Sequence, residues 1–210
     1  MSFKKKCHIY PKFVINKAGS TLHQQKPNGK FGTQQDFYAE HYFCRECEND
    51  VFNKWGEDPV SDGYRFPEKL DNVPQVALEH LGLSTVYKAL MWLKIDVPEA
   101  AFQAEECWRR KILERRSAGS CHPIFCIPTF ECPSHPVATV LNRSYNMRIV
   151  EEEDFRLVWL NMPGFLMAGF SDFRRQCSEG ELKMAFEKTA KSEAIRLSSQ
   201  AEKLTLLRDH

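Results

Sequence analysis

HYFCRECENDVFNKWGED, residues 41–58, decides how the first part of this chain folds. Cys44 and Cys47 stand two residues apart at the mouth of a helical pattern. Two thiols at that spacing can leave a knuckle turn and reach one Zn²⁺ at about 2.3 Å each. A structural zinc takes four ligands, so further ones must come from elsewhere. Upstream, CHIYPKFVINKAG (residues 7–19) offers Cys7 as the nearest thiol, with His8 beside it. His41, His23 and His8 are the candidate nitrogen ligands. The competing reading makes Cys44 and Cys47 partly buried thiols at a helix start, because free cysteine is a common core residue.

The rest of the composition sets the frame. A chain of 210 residues with 42% hydrophobic content can fill a sizeable core. Lys and Arg number 29 against 28 Asp and Glu, a net charge of +1, so no whole-surface field draws the protein to nucleic acid and any such contact is a local patch. The opening MSFKKKCHIYPKF has lysines but no apolar run after them, and no later stretch is long and apolar enough to span a bilayer. The expectation is a cytoplasmic protein with no signal peptide and no membrane contact. In that compartment eight cysteines point to metal binding before disulfides.

Between the two Cys-containing stretches, GSTLHQQKPNGKFGTQQDFYAE carries a Pro-Asn-Gly turn signal and reads as a long loop or irregular hairpin. From Val73 to Ser117 apolar residues recur at three- and four-residue spacing, which predicts three helices in succession. Ser84 would cap the second, and the third would start at Pro98 and stop at Gly119. Residues 120–171 turn to β-branched and aromatic runs broken by prolines, with a hairpin signal at Asn161-Met162-Pro163-Gly164, and predict a small antiparallel sheet. The tail from Ser178 predicts a long amphipathic helix whose apolar stripe packs on the body or on a second copy, making it a route to a homo-oligomer. The fold class expected is α+β.

CHIYPKFV and YFCRECENDVFNKWGED together resemble a family of bacterial proteins related to HNH nucleases, in which a His-Ile-x-Pro segment precedes a Cys-x-x-Cys-Glu segment. Here those are His8-Ile9-Tyr10-Pro11 and Cys44-Arg45-Glu46-Cys47-Glu48. The likeness covers mainly residues 6–58, and a weaker one extends to about residue 116. It implies a treble-clef zinc knuckle, or ββα-metal unit, over residues 1–60; the residue pattern itself adds a helical and antiparallel-sheet region over 61–210, packed with the first as one body. The cofactors expected are a structural Zn²⁺, for which Cys7, Cys44, Cys47 and His41 are the candidate ligands with the fourth left open, and a catalytic Mg²⁺ or Mn²⁺. Two departures stand out. The Cys-x-x-Cys that relatives carry ahead of the histidine is not found in Met1–Lys6, and the acidic residue usual beside the histidine is here Cys7. Oxygen ligands would then come from Glu48, Asp50, Asn53 or Asp36.

Phosphodiester hydrolysis needs a base to deprotonate water, and an imidazole with pKa near 6.5 suits that task. His8, with Asn53, is the catalytic candidate; a zinc ligand or a core histidine is the other reading of His8. Lys5 and Lys6, with Arg109 and Arg110 of the basic helix stripe that also holds Lys111, Arg115 and Arg116, are the candidate nucleic-acid contacts. Acidic neighbours such as Glu105, Glu106 and Glu114 allow the opposite reading of that stripe as a solvated face. A second cluster, Cys121, His122, Cys126, Cys132 and His135, has no knuckle spacing and reads as buried thiols and loop histidines. The sequence thus leads to a metal-dependent HNH-like endonuclease or nickase acting on DNA. The alternative is a catalytically inactive zinc-knuckle module that binds nucleic acid or a protein partner.

Overall fold

Trp159 and Leu160 are neighbours in sequence and both fully buried. Adjacent strand residues point to opposite faces, so this requires a sheet covered on both sides. The structure, a computed structural model, describes residues 4–11, 13–15, 23–25, 31–33, 39–44, 46–65, 72–94, 101–115, 122–129 and 145–208, with backbone alone for 4–7, 23–25, 31–33, 39–42, 44 and 200–208. Along the chain it forms β1 (Lys4–His8), β2 (His23–Gln25), β3 (Phe31–Thr33), β4 (Ala39–Cys44), α1 (Cys47–Glu57), α2 (Asp58–Arg65), α3 (Gln75–Leu93) and α4 (Ala104–Glu114). There follow β5 (Ile124–Pro128), β6 (Asn146–Glu151), β7 (Phe155–Met162), β8 (Phe165–Phe173) and α5 (Glu179–Arg208).

The expected antiparallel sheet is present, with strand order β5-β8-β7-β6. On one face Val158, Leu160, Met162, Phe165 and Met167 pack with Leu81, Val86 and Leu90 of α3 and Trp108 of α4. On the other, Leu157, Trp159, Leu166, Ala168 and Phe170 meet Leu182, Phe186, Ala190 and Ala194 of α5. The result is three layers, helices on sheet on helix. Close docking of the first pair of layers depends on Gly169. A Cβ there would lie 2.5 Å from Val86 Cγ1 and 2.7 Å from Trp108 Cη2, inside any real contact distance. The hairpin signal also holds: Met162 pairs Phe165 across Pro163-Gly164, and Gly164 takes φ 89°, the sense that position i+2 of a type II turn requires.

Two helices, not three, fill residues 73–117 among the described residues. α3 runs unbroken through Ser84, which is buried mid-helix with its hydroxyl donating to the Leu81 carbonyl at 3.1 Å. The expected cap fails because residues 80–90 are buried on every side, between the sheet and the N-terminal unit, and a fully enclosed helix gains nothing from ending there. α4 begins at Ala104, later than expected, and ends in Arg115 with φ 57°. Pro98 and Gly119 lie outside the described residues. α5 starts as expected and its stripe lies on the chain's own sheet. A capping box sets its first turn: the Ser178 amide donates to Glu181 Oε2 at 2.7 Å, and the Glu181 amide donates to Ser178 Oγ at 3.3 Å.

The N-terminal unit belongs to the same core. Ile9, Tyr10, Phe13 and Val14 are buried in one cluster with Leu81 and Met167, and the Tyr64 hydroxyl donates to the Pro163 carbonyl at 3.0 Å. β1 and β4 pair antiparallel, and β2 and β3 form a small hairpin within the loop between them. The Pro-Asn-Gly signal at residues 27–29 lies outside the described residues.

Candidate functional site

β1 and β4 pair as two antiparallel strands, and α1 follows β4. It is wound as a π-helix over its whole length, ending with the Asp58 amide bonded to the Asn53 carbonyl. The winding decides which side chains share a face. Glu48 and Glu57 are nine residues apart. In an α-helix that is about two and a half turns, which puts them on opposite sides. With i→i+5 bonding it is about two turns, and both face α3.

There they meet Lys88. Its Nζ donates to Glu57 Oε1 at 3.0 Å and to Glu48 Oε1 at 3.5 Å, with the Phe52 ring centroid 4.6 Å away. All three charged residues are buried: 1% exposed for Lys88, 7% for Glu48 and 9% for Glu57. An ammonium between two carboxylates keeps the group from carrying two uncompensated charges in the core. Glu48 Oε2 and the Asn53 Oδ1 oxygen are both buried with no hydrogen-bond partner among the described residues. Against the same helix, His80 Nε2 lies 3.1 Å from the Val51 carbonyl. Burial holds the His80 pKa below its ordinary value, the Val51 contact opposes this, and the positive charges of Arg115 and Lys88 add to it.

The sequence candidates fall in several places. His8 closes β1, paired with Ala39 and partly buried. Cys7 pairs with Glu40 whereas Cys44 pairs with Lys4, so the ladder offsets the two cysteines by three residues on β1 and four on β4, about 10–13 Å along the strands. His41 sits next to Glu40, on the Cys7 side of the ladder. Cys44 ends β4 and Cys47 opens α1, so these two stay near each other in the chain. Among the described residues no three His, Cys, Asp or Glu side chains gather where they could hold a metal ion. Asn53 lies mid-way along α1; Asp36 lies outside the described residues, and Asp50 is exposed.

Lys5 and Lys6 lie on β1. Arg109 is engaged by Glu106 through two bonds of 2.8 Å, so one of the two arginines proposed for phosphate is already paired, whereas Arg110 is exposed. In the second cluster, burial pushes the Cys126 thiol up to about 12, which keeps it protonated and poor as a ligand. His122 places Nδ1 3.2 Å from the Phe170 carbonyl, and Cys121, Cys132 and His135 lie outside the described residues.

Sequence reasoning missed Lys88 and the contact of Arg115 with Trp55. A lysine within the apolar run STVYKALMWL was the available signal for the first, since a buried lysine needs a carboxylate. Comparison of the chain with protein-family models, with curated proteins and with solved structures finds no match. No helix among the described residues is long and apolar enough to cross a membrane.

Proposed function

We propose that this chain is a metal-dependent, HNH-like endonuclease or nickase acting on DNA. The observation that carries the reading is the β1–β4–α1 succession, with His8 at the end of its first strand and Asn53 on its helix. His8 would take the proton of the attacking water. Asn53, whose Oδ1 lacks a partner among the described residues, and the exposed Asp50 would offer oxygens suited to Mg²⁺ or Mn²⁺. Such an ion neutralises charge on the phosphate. Glu48 and Glu57 are not assigned to it, because Lys88 already engages both. Cys7, Cys44, Cys47 and His41 would supply the ligands of a structural Zn²⁺.

A second reading, an inactive module that binds nucleic acid or a protein, draws on the Lys88 ion pairs. They keep the nearest carboxylates from a hydrolytic metal. Incubating supercoiled plasmid with the protein in Mg²⁺ or Mn²⁺ separates the two. Nicked or linear product is the expected outcome. Salt-dependent binding of DNA or RNA without cleavage in Mg²⁺, Mn²⁺ or Ni²⁺ would establish the inactive module instead.

A further inference from the structure

Trp108 and Trp159 are fully buried, whereas Trp55 on α1 is 37% exposed and the Arg115 guanidinium lies over its ring, 4.2 Å from the centroid. We propose that Trp55 and Arg115 form a stacking site for an unpaired nucleobase, so that this face takes single-stranded or locally opened nucleic acid. The inference rests on the nucleic-acid half of the reading above and supplies what that reading lacked, a place where a base is held.

The geometry supports it in three ways. Trp55 and Arg115 come from different elements, α1 and the end of α4, yet present two flat π surfaces in contact at the exterior. Bases stack on aromatic rings and on guanidinium planes alike. Cationic side chains stand on both elements. Lys54 is exposed beside Trp55, Lys111 lies one turn before Arg115, and Arg110 is exposed on the same helix. Glu114 and Asp58 adjoin these groups, so the positive field is local, as a net charge of +1 demands. Finally, Arg115 ends α4 in the left-handed region at φ 57°, where glycine is the usual residue. Its guanidinium lies over the Trp55 ring of α1.

Among ligands offering a flat π face, this cationic setting favours one that also carries phosphates over an uncharged or basic peptide. It favours an unpaired base over a duplex because the faces of paired bases are covered by their neighbours in the stack. A basic strip at Arg109 and Arg110 would instead have read only the backbone.

The test is anisotropy of a short fluorescein-labelled oligothymidylate and of a duplex of equal length, without added divalent ion, against the full chain and its variants. Trp55→Ala should weaken oligothymidylate binding about tenfold at an unchanged melting temperature, while Trp55→Phe retains most of it. Duplex binding should be the same in all three. Arg115→Ala should weaken single-strand binding and flatten its salt dependence. Wild-type binding of oligothymidylate by Trp55→Ala would overturn the inference, as would quenching of Trp55 fluorescence by polyglutamate but not by oligothymidylate. A protein that nicks plasmid but binds single strands regardless of Trp55 loses this inference and keeps the nuclease reading. One that binds through Trp55 but never cuts keeps this inference and loses nuclease activity.

Discussion

His80 shows how one enclosed side chain couples the candidate site to pH. It is 4% exposed, beside Gly56, whose added Cβ would lie 3.3 Å from His80 Cδ2. Burial, with help from Arg115 and Lys88, keeps its folded pKa below the ordinary value of 6.5. The unfolded chain therefore binds the proton more readily. The stability that neutral His80 contributes is complete above about pH 6.5 and is lost as pH falls toward the depressed folded value. Melting curves between pH 7.5 and pH 5 should fall for the wild type and fall less for His80→Gln; equal slopes would contradict this origin. Gly169→Ala is the second residue-scale prediction. Its Cβ collides with Val86 and Trp108, neither of which can move without opening the core, and the expected cost is about 1–3 kcal/mol in urea unfolding. Neither effect was legible in the sequence. A glycine in a strand run and a histidine in an apolar one are ordinary there, and only the neighbours across the layers give them meaning.

At the scale of elements, α1 is decided by its winding. The sequence predicted a helix after Cys47, and one is there. It did not predict the π ladder, because reading apolar residues at three- and four-residue spacing assumes an α-helix, in which Glu48 and Glu57 diverge. Removing the cation tests the arrangement. Lys88→Met leaves two buried carboxylates uncompensated and should destabilise the fold by about 3–5 kcal/mol. Adding Glu48→Gln and Glu57→Gln to that variant should restore much of the loss in urea unfolding. A Lys88→Met protein as stable as wild type would show that the carboxylates are not held by it. α3 taught the same lesson by another route: Ser84 looked like a cap because its hydroxyl suits one, and tertiary enclosure overrode that preference.

At the scale of the molecule, the sheet, its Pro163-Gly164 hairpin and the long terminal helix could all be read from sequence, since each rests on local periodicity and turn chemistry. What local pattern could not supply was the layering: which helix takes which face, and that Ile9, Tyr10, Phe13 and Val14 enter the same core as α3 and β8. Nor did it supply the β1–β4 register that parts Cys7 from Cys44. Deleting residues 179–210 should uncover Leu157, Trp159 and Phe170, producing aggregation or a change of mass in light scattering. An unchanged, soluble truncation would show that α5 is not needed to cover the sheet. DNA cleavage with His8 as base is tested by comparing plasmid nicking, zinc content and melting temperature in wild type and His8→Ala. Nicking should be abolished while zinc content and melting temperature hold, because a base is needed in the transition state and not for the fold. Undiminished nicking by His8→Ala, or a joint fall of zinc content and stability, would contradict it.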